Sequence, residues 1–288
     1  MLTSTTNRTY GFTRTDRYSV KREGLTELTN DEIRAKAPSV FADQAWNTMS
    51  ARYKFIPTIE VVEWLRGEGF LPVRALQGRT RIEGKGDFTK HMIRFRRQSD
   101  LALTVDNVGQ EFPEITLVNS HDGTSSYQLY PSIFRAVCLN GLIVHSKDLE
   151  GISVRHKGGD DFHHEIIDAS YRILEQSTDS LGKIEEFKQI ELTPPQRNAF
   201  ATAALELQSN ESLQPRQILS ERRTADAAPS LWNTLNVVQE NMVKGGIRTR
   251  NQETYRRSTT KGINSVTGDV TTNRALWRLA EEMSKLVS

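Results

Sequence analysis

The stretch PEITLVNSHDGTSSYQLYPSIFRAVCLNGLIVHSKDLEGISVRH, from Pro113 to His156, decides the fold. Apolar residues alternate up to Leu117, polar residues surround Asp122-Gly123, and apolar residues resume at Tyr127 and Leu129. That is a β-hairpin signal. A two-residue Asp122-Gly123 loop sets Leu117 opposite Gln128 and mixes the faces. A three-residue loop, His121-Asp122-Gly123, sets Leu117 opposite Tyr127, Ile115 opposite Leu129 and Asn119 opposite Ser125. The second register keeps apolar side chains together and puts Gly123 in the left-handed conformation that closes such loops. Pro131 is then expected to open a helix carrying Ile133, Phe134, Val137 and Cys138. Asn140-Gly141 ends it, since both tolerate positive φ. A short strand ending in Arg155 and His156 follows.

Working outward, Thr29 and Glu32 have capping-box spacing and mark the first ordered helix. A second helix starts at Pro57-Thr58, shows an apolar stripe of Ile59, Val62 and Leu65, and stops at Gly67 and Gly69. Residues 70–75 and 91–97 read as strands. In the second, Ile93 and Phe95 take one face and Arg94 and Arg96 the other. The sequence GRTRIEGKGD between them reads as an exposed loop. After Asp161 the pattern turns helical, with a start signal at Thr193-Pro-Pro-Gln196 and further helices at Leu231 to Val243 and Thr272 to Val287. The expected class is α+β: an antiparallel β-hairpin sheet packed by helices, followed by a mostly helical C-terminal half. The expected division is a mobile arm over residues 1–27, the α+β core over 28–190, and over 191–288 a helical region whose helices are joined by a basic loop at 244–270.

Thirty-eight Lys and Arg oppose 36 Asp and Glu, a net charge of only +2, so any strong positive field must come from local segregation. Two segments segregate. The first carries Arg74, Arg79, Arg81, Lys85, Lys90, Arg94, Arg96 and Arg97 against Glu83 and Asp87. The second carries Lys244, Arg248, Arg250, Arg256, Arg257 and Lys261 against Glu253, with Tyr255 available to stack on an unpaired base. Such arrays meet phosphate backbones, each contact releasing counterions. The bland reading is solvated surface. Arg155 and His156 are further candidate contacts, or the tip of an edge strand.

No catalytic residue, cofactor or metal is expected. Phosphate-loop, dinucleotide and nucleophile-elbow motifs are missing from the sequence. Asp160, Asp161, His163, His164 and Glu165 crowd together, yet adjacent histidines on a helix point about 100° apart. They suit a polar helix start better than a metal site. Cys138, the sole cysteine, reads as a buried hydrophobe in a reducing compartment. The N-terminus lacks a secretory apolar core, and no apolar run reaches the ~18 residues of a transmembrane helix.

Three blocks carry a resemblance: Asn119-Ser120-His121-Asp122-Gly123-Thr124, Phe134 to Leu142, and Arg155-His156. With Trp232-Asn-Thr-Leu and Asn273-Arg-Ala-Leu-Trp277, they resemble the phage/plasmid-like protein family, a domain of unknown function, over about Gly69 to Asn273. The resemblance implies a gene of a phage, prophage or plasmid and hence the bacterial cytoplasm, but no reaction. The residues themselves point to a nucleic-acid-binding protein, with single-stranded DNA favoured, in ATP-independent annealing or recombination. RecT-like annealing proteins have a comparable layout, often as homo-oligomeric rings; this is an analogy of plan. A host-protein-binding regulator or anti-defence factor is the alternative, and a metal-dependent nuclease using the Asp160–Glu165 cluster is the third.

Overall fold

The structure, a computed structural model, describes residues 24–49, 53–104, 110–136, 139–144, 151–154, 160–207, 213–250 and 257–287. Val137, Cys138, Arg155, His156, Tyr255, Arg256 and residues 1–23 of the expected arm lie outside the described residues. The elements in order are α1 (Asn30–Lys36), α2 (Thr58–Gly67), β1 (Phe70–Gln77), β2 (His91–Arg97), α3 (Gln98–Thr104), β3 (Glu111–Asn119), β4 (Tyr127–Arg135), β5 (Asn140–Ile143) and β6 (Ile152–Val154). Then come α4 (Asp160–Gln189), α5 (Pro194–Glu206), α6 (Pro215–Ile218), α7 (Leu231–Lys244), β7 (Arg248–Arg250), β8 (Arg257–Thr259) and α8 (Val266–Val287). The protein is α+β: an antiparallel sheet in the order β1-β2-β3-β4-β5, with β6 also pairing β4, packed by helices and followed by a helical C-terminal half.

Local signals account for the helix starts. Thr29 and Glu32 form the capping box of α1, and Thr193 and Gln196 that of α5, each satisfying end N–H groups that the helix cannot. Helix α8 begins six residues before the expected Thr272. Ser265 caps it, its hydroxyl oxygen accepting the Gly268 N–H at 3.1 Å.

The central hairpin departs from expectation in two ways. Leu117 pairs with Leu129 and Val118 with Gln128, so the connection is a seven-residue loop, Ser120 to Ser126. The expected register is off by two residues, which leaves every side chain on the face assigned to it. Ser120 explains the longer loop: its hydroxyl accepts the Ser125 N–H at 2.8 Å and so stands in for a ladder bond. The second departure is larger. Pro131, Ile133 and Phe134 lie in strand β4, not in a helix. Strand β4 is buried on both faces, and a doubly buried strand reads as the same unbroken apolar run as a buried helix. The Pro131 carbonyl accepts the Val144 N–H at 3.0 Å, and its nitrogen faces the same edge. There, β6 pairs only up to Leu129 and β5 starts at Ser132, so the missing donor costs no ladder bond.

One sheet face carries Ile93, Phe95, Ile115, Leu117, Tyr127 and Leu129 and packs on α2 and the first half of α4. The second large core joins Ile133, Leu142 and Val144 of the sheet to Phe187, Phe200, Trp232 and Trp277 of the helices. The opposite sheet face is covered too, by Val266 and Val270 of α8 over Met92, Val118, Tyr130 and Ile143. Arg94 and Arg96 lie on this second face and are fully buried, 1 % and 0 % exposed. Arg96 donates to Glu114 at 2.5 Å, to the Gly24 carbonyl at 2.8 Å and to Thr104 at 3.0 Å. Its guanidinium also stacks 3.8 Å over the Phe134 ring. Arg94 donates to Asp269 of α8 at 3.1 Å and lies 3.8 Å from the second Glu114 oxygen. Gly141 of β5 leaves room for this guanidinium, since a Cβ there would coincide with it.

The NSHDGT block builds a second buried polar centre. Thr58, at the start of α2, is its hub. The His91 Nδ1–H points at the Thr89 carbonyl at 3.1 Å and the Ser39 hydroxyl oxygen at 2.8 Å. Its Nε2 is then the acceptor for the Thr58 hydroxyl, 2.8 Å away. The Thr58 oxygen in turn accepts from Asn119 Nδ2 and His121 Nε2, both at 3.0 Å. Burial pushes the His91 pKa down from 6.5 to about 4, against the opposing pull of the Thr89 carbonyl and Asp122.

Two outcomes follow. Gly141→Ala drives a methyl into the Arg94 guanidinium and should cost about 3–5 kcal/mol, the cost of breaking a buried ion pair. Gly182→Ala, inside the last third of α4 with nothing within 4 Å of its Cβ, should instead stabilise by roughly 0.5–1 kcal/mol. Urea denaturation of both variants against wild type checks the pair. The second concerns acid. Between pH 6.5 and about 4 the unfolded chain takes up a proton that native His91 refuses. This group's stability is therefore complete above pH 6.5 and falls by roughly 3 kcal/mol toward pH 4. Denaturation at pH 7 and pH 5 should show the decline, with a shallower slope in His91→Gln.

Candidate nucleic-acid interface

The first basic segment divides into three. Arg94 and Arg96 are spoken for inside the molecule, so their expected role as phosphate contacts is withdrawn: α8 covers the face that was expected to be open. Arg97 is exposed but stands at the far end of β2 from Lys90, roughly 20 Å away at ~3.3 Å per residue. Arg79, Arg81, Lys85 and Lys90 remain together on the loop from β1 to β2. Arg79 and Arg81 are exposed and make no ion pair among the described residues. Lys85 reaches Asp122 of the NSHDGT loop at 3.1 Å. Burial raises the Asp122 pKa, but the Thr124 hydroxyl and N–H and the Lys85 ammonium outweigh it and hold the carboxyl below its usual range.

Lys90 joins this loop to the C-terminal half. Its Nζ lies 3.4 Å from Thr267 Oγ1 in the first turn of α8. Arg79, Lys85 and Lys90 thus line one wall of a cleft at the end of the sheet, and Ser265, Val266 and Thr267 line the other. The N-terminal end of α8, with its positive dipole, opens onto it. What aims α8 here is the Arg94–Asp269 ion pair beneath.

The second segment is partly a β-ribbon rather than the expected loop. Arg248 pairs with Thr259, Thr249 with Ser258 and Arg250 with Arg257. Alternation puts Arg248, Arg250 and Arg257 on one exposed face, while Thr249 turns inward and bonds Ser258 at 2.6 Å. Arg250 stands directly opposite Arg257 in this register. Gln217 of α6 props the ribbon through the Arg248 carbonyl at 2.8 Å. Lys261 is exposed, whereas Lys244 is tied to Glu240 at 2.8 Å. Residues 260–264 connect the ribbon to Ser265, so Thr259 stands within roughly 20 Å of the cleft wall.

At the ribbon's base, Gly245 has φ +62° and lies so close to the chain at Lys261-Gly262 that a Cβ would meet the Gly262 nitrogen at 2.6 Å. Arg222 holds this corner by donating to the Gly245 carbonyl at 2.5 Å and to Asn241 at 2.8 Å. Ser265, Thr267, Gln217 and Arg222 were missed from sequence. Ser265 alone carried a signal, a cap residue three before Gly268. At the histidine cluster, His163 packs on Trp64 with ring centroids 4.6 Å apart. No group of three His, Cys, Asp or Glu among the described residues converges as metal ligands. No helix among them is long and apolar enough to cross a membrane.

Fold and site together define an α+β protein with ion pairs buried under its sheet and a cationic surface at one sheet end. The chain belongs to the family described as "Domain of unknown function (DUF932)", whose profile matches residues 45–277 and so spans both basic segments. It is similar to UPF0380 protein YafZ of Escherichia coli (strain K12), 41% identical over 259 residues, 89% of this chain and 91% of that protein. UPF0380 protein YfjQ of the same strain is 40% identical over the same lengths. No solved structure matches the chain.

Gly245→Ala should open the ribbon's base and cost about 1–3 kcal/mol of stability, through backbone strain at a positive φ. Hydrogen exchange provides the local check. The N–H groups of Gly246 and Thr260, which bond across the base at 2.9 Å each, should lose protection while the sheet keeps it.

Proposed function

We propose that this protein binds nucleic acid, single-stranded DNA in preference, and holds its phosphates along the cleft and the ribbon. The observation that carries this reading is that the first basic segment lines one wall of a cleft and the chain leaving the second lines the other, although the two lie more than 150 residues apart in sequence. Arg79, Arg81, Lys85 and Lys90 supply one side; Arg248, Arg250, Arg257 and Lys261 supply the approach from the other. Ser265 and Thr267 add hydroxyl donors of the kind that position phosphates. A role in annealing or recombination for a mobile element, in the bacterial cytoplasm and as a homo-oligomer, fits this chemistry and needs no ATP motif.

Fluorescence anisotropy with a labelled oligo-dT, a duplex of the same length and an RNA tests it. Affinity should fall as salt rises, with a log–log slope of about −0.7 per phosphate held on a single strand. Arg248→Ala with Arg257→Ala should make that slope shallower by roughly 1.4, the share of two phosphates. Arg97→Ala, far from the cleft, should leave it unchanged. Binding that ignores salt and the ribbon variants would overturn the proposal and turn attention to a host protein as ligand.

A further inference from the structure

The ligand's bases need a surface as well as its phosphates. Tyr255 was the aromatic that the sequence offered, and it lies outside the described residues. A different aromatic packs on the loop that carries the cleft's cations. Trp46 sits on the loop between α1 and α2, partly exposed, with its ring against Phe88 at a centroid distance of 5.2 Å. Phe88 belongs to the same basic loop as Arg79, Arg81, Lys85 and Lys90. The backbone N–H of Phe88 donates to the Lys85 carbonyl at 3.1 Å. The edge of the Trp46 ring lies 3.9 Å from where a Cβ on Gly84 would stand, next to Lys85.

Trp46 is also held in place. Its backbone N–H donates to the His121 carbonyl at 2.9 Å, and its carbonyl accepts the Met49 N–H at 3.0 Å. His121 in turn precedes Asp122, the partner of Lys85. Ring and ammonium are therefore fixed to the same turn of chain. Ile82, 56 % exposed, adds apolar surface to the same loop. Trp232 and Trp277, by contrast, are 2 % and 0 % exposed and belong to the core.

An aromatic face rigidly attached to a line of cations is the arrangement that binds single strands, because every base has a π-face while only an unpaired one can offer it. We infer that Trp46 is a stacking platform for an unpaired base whose neighbouring phosphates lie in the Arg79–Lys85–Lys90 cleft. This rests on the nucleic-acid reading above and adds what that reading leaves open, the reason for a single-strand preference.

The test uses the full chain, a dT12 oligonucleotide and an abasic 12-mer, which has the same phosphates and no bases. Wild type should bind dT12 more tightly than the abasic strand by about fivefold or more, the stacking contribution of one base. In Trp46→Ala that ratio should fall to about one while the abasic affinity stays as in wild type. Trp46→Phe, which keeps a smaller ring, should recover most of the ratio. Equal wild-type affinity for the two strands would overturn the stacking platform and leave phosphate binding intact. An equal loss on both strands in Trp46→Ala would overturn it as well, marking Trp46 as a prop for the loop. Failure of wild type to bind either strand would overturn both readings.

Discussion

Two arginines buried under a sheet constrain the rest of this molecule. Arg94 and Arg96 have almost no access to water, and an unpaired guanidinium there would cost several kcal/mol. Compensation has to come from the neighbours. Glu114 on β3 lies between the two cations, and Asp269 takes the outer side of Arg94. Because Asp269 belongs to α8, the charge balance of the sheet is complete only when the C-terminal helix has docked. Gly141 must remain a glycine for the same reason, and the Arg96 bond to the Gly24 carbonyl ties down the chain before α1.

That constraint reaches the surface. The turn of α8 carrying Asp269 also carries Ser265 and Thr267, which face Lys90 across the cleft. The connection entering this turn comes from the β7–β8 ribbon, which is anchored in turn by Gly245, Arg222 and Gln217. A buried ion pair thus sets the distance between two cationic surfaces that the chain itself leaves far apart. The second buried centre, around Thr58, does the same on the other side. It fixes His121, and through His121 the positions of Asp122, Lys85 and Trp46. Burial of polar groups is expensive here, and what it secures is placement.

Much of the fold was readable from local chemistry. Capping spacing located α1 and α5, and period-two alternation put Ile93 and Phe95 on one face of β2 and the arginines on the other. Parity placed the hairpin residues on their proper faces even though the loop is four residues longer than expected. Pro131 misled, because a strand covered on both sides has no alternation to show. The site was half legible. The loop cations Arg79, Arg81, Lys85 and Lys90 and the ribbon cations are on the surface, as charge alone suggests. Arg94 and Arg96 carry the same charge and go inside, since Glu114 and Asp269 meet them there, and neither acid stands near them in the sequence. Trp46 offers no periodic or motif signal at all.

The sequence by itself determined where several helices start, which face of β2 and of the hairpin is apolar, and that positive charge gathers in two places. Those properties depend on residues a few positions apart, and steric and hydrogen-bonding rules act at that range. Only the tertiary structure decided which arginines are buried, that the first basic segment and the chain leaving the second line one cleft, and that a tryptophan packs on the loop of the first. Each depends on contacts between residues about 20 to 180 positions apart. Charge pairing and burial select those contacts, and nothing in the local pattern encodes them.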